Sequence, residues 1–510
     1  MDLAVILSRA VVGMQSPLVS VEVHLSNGLP AFSIVGLPET SVKESKERVR
    51  SALINAGFDF PAKRITVNLA PADLPKEGGR FDLPIAIGIL VASGQCKSEQ
   101  IAQAEFTGEL ALSGELRPVQ GVIPIVLAAQ NAKRLLILPE ANGAEAALIE
   151  AQNCRTSHHL LSVTAWLNGQ HQLDFANAQA SESAAHSHSA NIPDMQDVIG
   201  QHQAKRALMI AAAGQHHLLF YGPPGTGKTM LASRLPGILP SMTEAEALQS
   251  ASVYSISHQG FNAEQWRRRP FRAPHHSSSA VALVGGGSHP KPGEISLAHQ
   301  GVLFLDELPE FDRKVLDMLR QPLESGTVTI SRAARQLDFP ARFQLIAAMN
   351  PSPCGNWGNP NVPCRSTPDE IRRYLNKLSG PLLDRFDISL EVPSIPPEQL
   401  HQGKADGLNS AQIRQQIEAA RAIQIQRQGS PNSQLSGQQL QHVCSLDTEQ
   451  LQFLQKVVIQ FGLSARAHQR ILKVARTIAD IEQHPRITQK HLSEAVGYRA
   501  IDRLMRQLAS

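Results

Sequence analysis

Gly222-Pro223-Pro224-Gly225-Thr226-Gly227-Lys228-Thr229 follows the apolar run Leu218-Leu219-Phe220 and precedes Met230-Leu231-Ala232. The order is buried strand, glycine-rich turn, helix start. A G-x-x-x-x-G-K-T segment needs this setting to cradle the phosphates of a nucleoside triphosphate. Glycines let the backbone approach the phosphates and turn its N–H groups toward them, and the helix N-terminus adds a favourable dipole. All eight residues are therefore expected to bind ATP. Lys228 is placed to reach the β- and γ-phosphates, and Thr229 to ligate Mg2+.

Downstream, Val302-Leu303-Phe304-Leu305-Asp306-Glu307 reads as a buried strand ending in two acids. Open α/β sheets bind ligands at the carboxyl ends of their strands. Asp306 there suits a Mg2+ site, and Glu307 suits polarisation of the attacking water. Hydrolysis by positioning and charge stabilisation needs both tasks. The competing reading is a pair of helix-capping acids. A third strand, 343–349, closes at Asn350, whose amide suits the nucleophilic water or the γ-phosphate; before Pro351 it also suits a plain turn. Leu382-Leu383-Asp384-Arg385-Phe386-Asp387 sets Arg385 at the start of a last strand. That place fits either an ion-pair partner or an arginine finger reaching a γ-phosphate in a neighbouring subunit. Leu463-Ser464-Ala465-Arg466 opens a long helix, making Arg466 the candidate nucleotide sensor and Arg470, one turn on, the second choice. Five strand candidates surround the phosphate loop, at 218–221, 252–256, 302–305, 344–348 and 387–391. Helical patterns between several of them predict a parallel sheet.

The phosphate loop, Leu-Asp-Glu at 305–307, Ala-Met-Asn-Pro at 348–351, Leu-Leu-Asp-Arg-Phe-Asp at 382–387 and the later helical arginine occur in one order. They resemble an AAA+ ATPase of the magnesium-chelatase/MCM branch. Arg267-Arg268-Arg269-Pro270-Phe271-Arg272-Ala273-Pro274-His275-His276, Leu283-Val284-Gly285-Gly286-Gly287 and Pro292-Gly293-Glu294-Ile295-Ser296-Leu297-Ala298-His299 narrow the resemblance to the Mg-chelatase-like ComM/YifB family. The resemblance implies a homo-oligomeric ATP-driven ring, with a hexamer expected. It further implies single-stranded or branched DNA as load, recombination proteins as partners, and a role in branch migration during natural transformation. The other reading in this branch is a remodeller of a protein or metallo-complex.

Two loops interrupt the ATPase core. Thr327-Val328-Thr329-Ile330-Ser331 and Gln336-Leu337-Asp338-Phe339 flank Arg332-Ala333-Ala334-Arg335, which reads as a β-hairpin tipped with two arginines. Residues 285–293 form the second loop, with His289 and Lys291. In this branch such insertions resemble pore loops. Arg332, Arg335 and Lys291 are then the candidate DNA contacts, suited to phosphates without base reading. Solvated loop charges or subunit-interface pairs are the competing reading. The 267–272 arginine cluster suits DNA or a structural role equally.

Residues 67–129 resemble the Lon protease domain, through Pro71-Ala72-Asp73-Leu74-Pro75-Lys76-Glu77-Gly78-Gly79 and Thr107-Gly108-Glu109-Leu110 with the residues that follow, to Val119. Where that family has its serine nucleophile this chain has Arg80, and where it has the lysine base this chain has Ile123. With neither group present, the domain is expected to lack peptidase activity and to serve assembly or DNA guidance. Some relatives carry four cysteines near 352–366, suggesting a zinc clip. Here Ser352 and Ser366 accompany Cys354 and Cys364, and two thiolates do not complete a tetrahedral site.

The expected fold class is α/β multidomain. It comprises a Lon-like α/β domain (1–170), a linker (171–192), an AAA+ P-loop core (193–395) and an all-α lid (396–510). The N-terminal part alternates a strand at 19–25, a helical stretch at 41–56, a strand at 65–69, a buried helix at 83–92 and a strand at 135–138. The small polar run at 180–190 favours a solvated linker over metal binding by His186 and His188. A net charge of +3 does not by itself argue for a polyanion partner, so any DNA surface is local. Five cysteines make no disulfide framework and fit a reducing compartment. The start Met1-Asp2-Leu3 has no basic leader, and the run at 83–92 is too short to span a bilayer. A cytoplasmic protein with no membrane contact is expected.

Overall fold

A computed structural model describes residues 2–37, 39–97, 99–149, 153–176, 193–287, 290–332, 335–359, 362–396 and 407–509. His186, His188, His289 and most of the expected linker lie outside the described residues.

The N-terminal part is a mixed eight-stranded sheet. Its spatial order is Asp174–Phe175, Cys154–Ser157, Leu135–Pro139, Ala104–Phe106, Leu3–Arg9, Leu18–Ser26, Arg64–Ala70 and Ala31–Val35. Leu18–Ser26 alternates buried and partly exposed side chains, so Val19, Val21, Val23 and Leu25 line one face. The helix Asp82–Ala92, buried at every position, covers that face. Gly88 is there because a Cβ would meet Val23 Cγ2 at 2.4 Å. One expectation is corrected here. Asp174–Phe175 pairs antiparallel with Cys154–Ser157, so the sheet extends past residue 170 into the stretch expected as linker.

The central part is a five-stranded, wholly parallel sheet in the order Phe271–Arg272, Val302–Leu305, Gln344–Met349, Leu218–Tyr221, Ile388–Glu391. Alternate side chains feed two cores. Leu218, Phe220, Phe304, Ile346 and Ile388 point one way, and Leu219, Tyr221, Leu303, Leu345 and Met349 the other. Both faces are covered, which is why these strands read as unbroken apolar runs.

The strand expected at 252–256 is instead the last turns of a helix, Glu244–Ile256. A capping box between Thr243 and Glu246 starts it, and Ala247, Ala251 and Tyr254 recur at helical spacing on its buried side. The fifth strand is Phe271–Arg272, two residues held by parallel pairing to Val302 and Leu303. The hairpin is present, Thr327–Arg332 pairing antiparallel with Arg335–Pro340.

Beyond residue 407 the described regular elements are helices: Ser410–Gln428, Gly437–Val443, Thr448–Phe461, Ala465–Ile481, Gln489–Gly497 and Ala500–Ala509. Ile413, Ile417, Ile471, Ala475 and Ile478 share one core with Leu218, Phe220 and Ile388. No helix among the described residues is long and apolar enough to cross a membrane.

Candidate functional site

Leu218–Tyr221 delivers the chain to Gly222, whose φ of 154° and close approach to Val392 O (2.3 Å from a would-be Cβ) exclude a side chain. Gly227, at φ 86°, turns the chain into the helix Lys228–Ser233. Gly225 and Gly227 face open space where a Cβ would stand. Thr226 Oγ1 donates to Pro223 O at 3.0 Å, and Gln201 Nε2 donates to Thr226 O and Pro393 O, bracing the loop from behind.

Lys228 is 8% exposed, and its ammonium donates to Gly222 O (2.9 Å), Pro223 O (2.8 Å) and Asn350 Oδ1 (3.2 Å). Burial draws its pKa down to about 8, against the opposing pull of Asp306. Thr229 Oγ1 donates to Asp306 Oδ2 at 2.6 Å, and the Glu307 amide donates to Asp306 Oδ1 at 2.9 Å. Five expected residues from three strand ends therefore meet: Lys228, Thr229, Asp306, Glu307 and Asn350. A hydroxyl and a carboxylate in contact are the hard oxygen donors that suit Mg2+. The ammonium and the glycine turn suit a triphosphate.

Glu307 carries a left-handed backbone, φ 52°. Its carboxylate lies 3.4 Å from His276 Nδ1, and His276 packs edge-on to Phe311. A cavity of about 320 Å³ lies between them, lined by Thr229, His276, Phe304, Asp306 and Glu307. Sequence reasoning used His276 only to support a resemblance. Its position just past the strand Phe271–Arg272, beside Val302–Leu305, depends on a pairing two residues long.

The expected arginines are engaged elsewhere. Arg385 pairs with Glu324, while its Nε is buried without a hydrogen-bond partner. Burial, then the charges of Arg466 and Arg320, lower its pKa. Arg466 is 61% exposed and 3.9 Å from Asp384; Arg470 is buried, 3.8 Å from Asp384 and 3.5 Å from Asp387. Each of Arg385, Arg466 and Arg320 has a carboxylate within 4 Å, from Glu324, Asp384 and Asp317 respectively.

Among the candidate DNA contacts, Arg332 and Arg335 pair across the end of the hairpin. Lys291 is half-buried, with Nζ donating to Gln120 Oε1 at 3.1 Å. It lines a 370 Å³ cleft between the N-terminal sheet domain and the core, together with Glu77, Arg80, Leu337 and Phe339. The 267–272 cluster resolves in part. Arg269 donates to Pro240 O and Gln300 O and pairs with Glu246, and Arg272 is bidentate to Glu294, so these two are structural. Arg80 Nε donates to Glu77 O, and burial lowers its pKa to about 10. Ile123 is fully buried in Val122–Asn131, whose start is held by Ser255 of the core.

Three family models match the chain: magnesium chelatase subunit ChlI over 194–400, subunit ChlI of Mg-chelatase over 21–142, and the ChlI C-terminal model over 407–499. Competence protein ComM of Haemophilus influenzae is 58% identical over the whole of both chains. YifB of Escherichia coli is 53% identical, covering 99% of this chain and 98% of its own. The magnesium-chelatase 38 kDa subunit of Acidiphilium rubrum is 25% identical over 58% of this chain and 86% of its own.

Proposed function

The chain belongs to the ComM/YifB family of magnesium-chelatase-like proteins, and from that premise we propose that it is a ring-forming ATPase that moves DNA. Its work would be helicase or branch-migration activity during recombination of incoming DNA, as the name of its competence relative suggests. The supporting observation is the convergence of Lys228, Thr229, Asp306, Glu307 and Asn350 at the carboxyl ends of the central parallel strands.

In this reading the loop amides of 222–229 hold the phosphates, and Lys228 exchanges its carbonyl partners for phosphate oxygens. Thr229 and Asp306 would hold Mg2+, which would supply charge neutralisation on the phosphates. Glu307 orients the attacking water and accepts its proton, while Asn350 fixes the water or the γ-phosphate. Arg385 completes the site of the neighbouring subunit, so hydrolysis requires the ring, with a hexamer expected. Arg466 reports the nucleotide from the helical lid, 396–510, to the core, 193–395. The domain at 1–170 is Lon-like and without peptidase activity, because Arg80 and Ile123 replace its nucleophile and base. Arg332 and Arg335 grip DNA phosphates from the hairpin, with Lys291 behind them. The expected setting is cytoplasmic.

The deciding experiment is ATP-driven migration of a synthetic four-way junction by the wild type and by Lys228→Ala. Migration by the wild type alone supports the motor. ATP turnover with neither migration nor salt-sensitive DNA binding moves the assignment to a chelatase-like remodeller, which the similarity to the Acidiphilium subunit favours.

A further inference from the structure

Ser352, Cys354, Cys364 and Ser366 gather on one side of the phosphate loop. The sulfurs of Cys354 and Cys364 are 3.4 Å apart. Ser352 Oγ lies 3.3 Å from Cys354 Sγ and 4.0 Å from Cys364 Sγ. The Cys354 amide donates to Ser366 Oγ at 3.2 Å, and the Cys364 thiol donates to Ser366 O at 3.6 Å. Both cysteines are half-buried, whereas Cys96, Cys154 and Cys444 are buried.

The five thiols differ in chemistry. Burial pushes Cys96 up to about 11 and Cys154 and Cys444 up to about 12, where they stay protonated and inert. Burial also acts to raise Cys354. There, hydrogen bonds from Ser352, Ser366, the Asn356 backbone and Cys364 outweigh it and bring the thiol down to about 5. The thiolate is the form that attacks oxidants and disulfides. A low-pKa, accessible cysteine beside a second thiol is the arrangement of reversible oxidation sites.

This loop bears on the nucleotide site. It leaves Asn350, and at Gly355 its backbone presses on the phosphate loop: a Cβ there would lie 2.6 Å from Pro224 Cδ. Trp357, whose amide donates to Ser352 Oγ, lines a 900 Å³ cleft with Tyr221, Pro351 and Tyr498.

We propose that Cys354 and Cys364 are a peroxide-reactive pair whose closure to an intramolecular disulfide displaces the wall of the phosphate loop and slows turnover. The Cys354 thiolate attacks one oxygen of hydrogen peroxide. An S–O bond forms, the O–O bond breaks, and the departing hydroxide leaves as water after taking a proton. The Cys364 sulfur then attacks the Cys354 sulfenic acid. The S–S bond forms, the S–O bond breaks, and a second water carries off the remaining proton. Two electrons pass from the thiols to the peroxide, and a dithiol reductant returns them. Closure brings the sulfurs to about 2 Å, and the backbone flanking Cys354 and Cys364 must follow.

The test treats the full-length, reduced protein with near-stoichiometric hydrogen peroxide, then maps its cysteines by alkylation and mass spectrometry. The expected result is a Cys354–Cys364 cross-linked peptide with the other three cysteines still free. Trp357 emission shifts, ATP turnover falls at least threefold, and dithiothreitol restores both. Cys364→Ser should leave Cys354 as a dimedone-reactive sulfenic acid with no disulfide. Equal oxidation of all five cysteines would overturn the proposal. So would one zinc per chain held by the pair in the purified protein. A disulfide that leaves the turnover of an active protein unchanged would overturn the coupling to the phosphate loop. That coupling rests on the ATP-site reading. If the reduced protein shows no turnover, the ATP-site reading fails, while the peptide map still decides the pair.

Discussion

Glu307 sits one residue beyond the Mg2+-binding candidate Asp306 with φ 52°, a conformation that costs a non-glycine residue about 1–3 kcal/mol. The turn aims its carboxylate at His276 instead of back along the strand. Glu307→Gln keeps the shape and removes the base, so ATP binding should persist while turnover falls about a hundredfold or more. Equilibrium binding of a fluorescent nucleotide, set beside phosphate release, separates the two effects. A different residue governs acid stability. His299 Nδ1 accepts the Arg342 amide at 3.0 Å, so the ring is neutral with its proton on Nε2, which faces Gln249 Oε1 at 3.1 Å. Burial, then the charge of Arg342, lowers its pKa to about 4. Between about 4 and the ordinary 6.5 the unfolded chain binds a proton that the folded one refuses. Stability from this group is therefore full above about 6.5 and is lost as pH falls toward 4. Thermal unfolding midpoints should drop across that window, and less steeply in His299→Gln.

At the scale of elements, the hairpin Thr327–Arg332 with Arg335–Pro340 is held to the core by Val328, Ile330 and Phe339, all buried. Arg332→Ala and Arg335→Ala should each weaken DNA binding evenly across sequences and reduce the salt slope by about one, with DNA-free ATP turnover unchanged. Titrations at several salt concentrations read this directly. The same scale shows where sequence reading succeeds and fails. Val302–Leu305 is legible because four apolar residues end in two acids. The last turns of the helix Glu244–Ile256 carry a strand-like pattern, because Ser252 to Ile256 mix apolar and hydroxyl residues, and the helix signal is nine residues earlier at Thr243. Phe271–Arg272 is too short for any periodicity, and with it His276 lost its place beside Glu307.

At the scale of the whole molecule, Asp387 joins the core to the C-terminal helices. It accepts from His216 at 3.2 Å and meets Arg470 at 3.5 Å, and His216 in turn contacts Thr477. Burial works against its ionisation, but the His216 hydrogen bond and the surrounding positive charges hold it far below the usual carboxylate range. Asp387→Ala leaves His216 Nδ1 without its partner and Arg470 with Asp384 alone, a loss of about 1–3 kcal/mol. Faster hydrogen exchange in Ala465–Ile481 should accompany the lowered unfolding midpoint. Arg385 belongs to this scale because its proposed role exists only between subunits. Arg385→Ala should bind nucleotide and lose about a thousandfold in turnover. Mixed with inactive Lys228→Ala subunits, it should regain activity, since some sites then join an intact Lys228 to an intact Arg385. Two inactive variants that stay inactive together would refute the shared site.

The residues proposed to bind the nucleotide are legible in the order of residues along the chain. A phosphate loop, two acids after an apolar strand, and an amide after another are local patterns, each set by its own strand and turn. Tertiary structure decided which of them touch: Lys228 on Asn350, Thr229 on Asp306, His276 against Glu307, and Cys354 against Cys364 beside Pro224. These contacts join segments far apart in the chain, or the ends of a loop, across strand pairings and close backbone approaches. Such meetings depend on sheet order and packing, which no local pattern encodes.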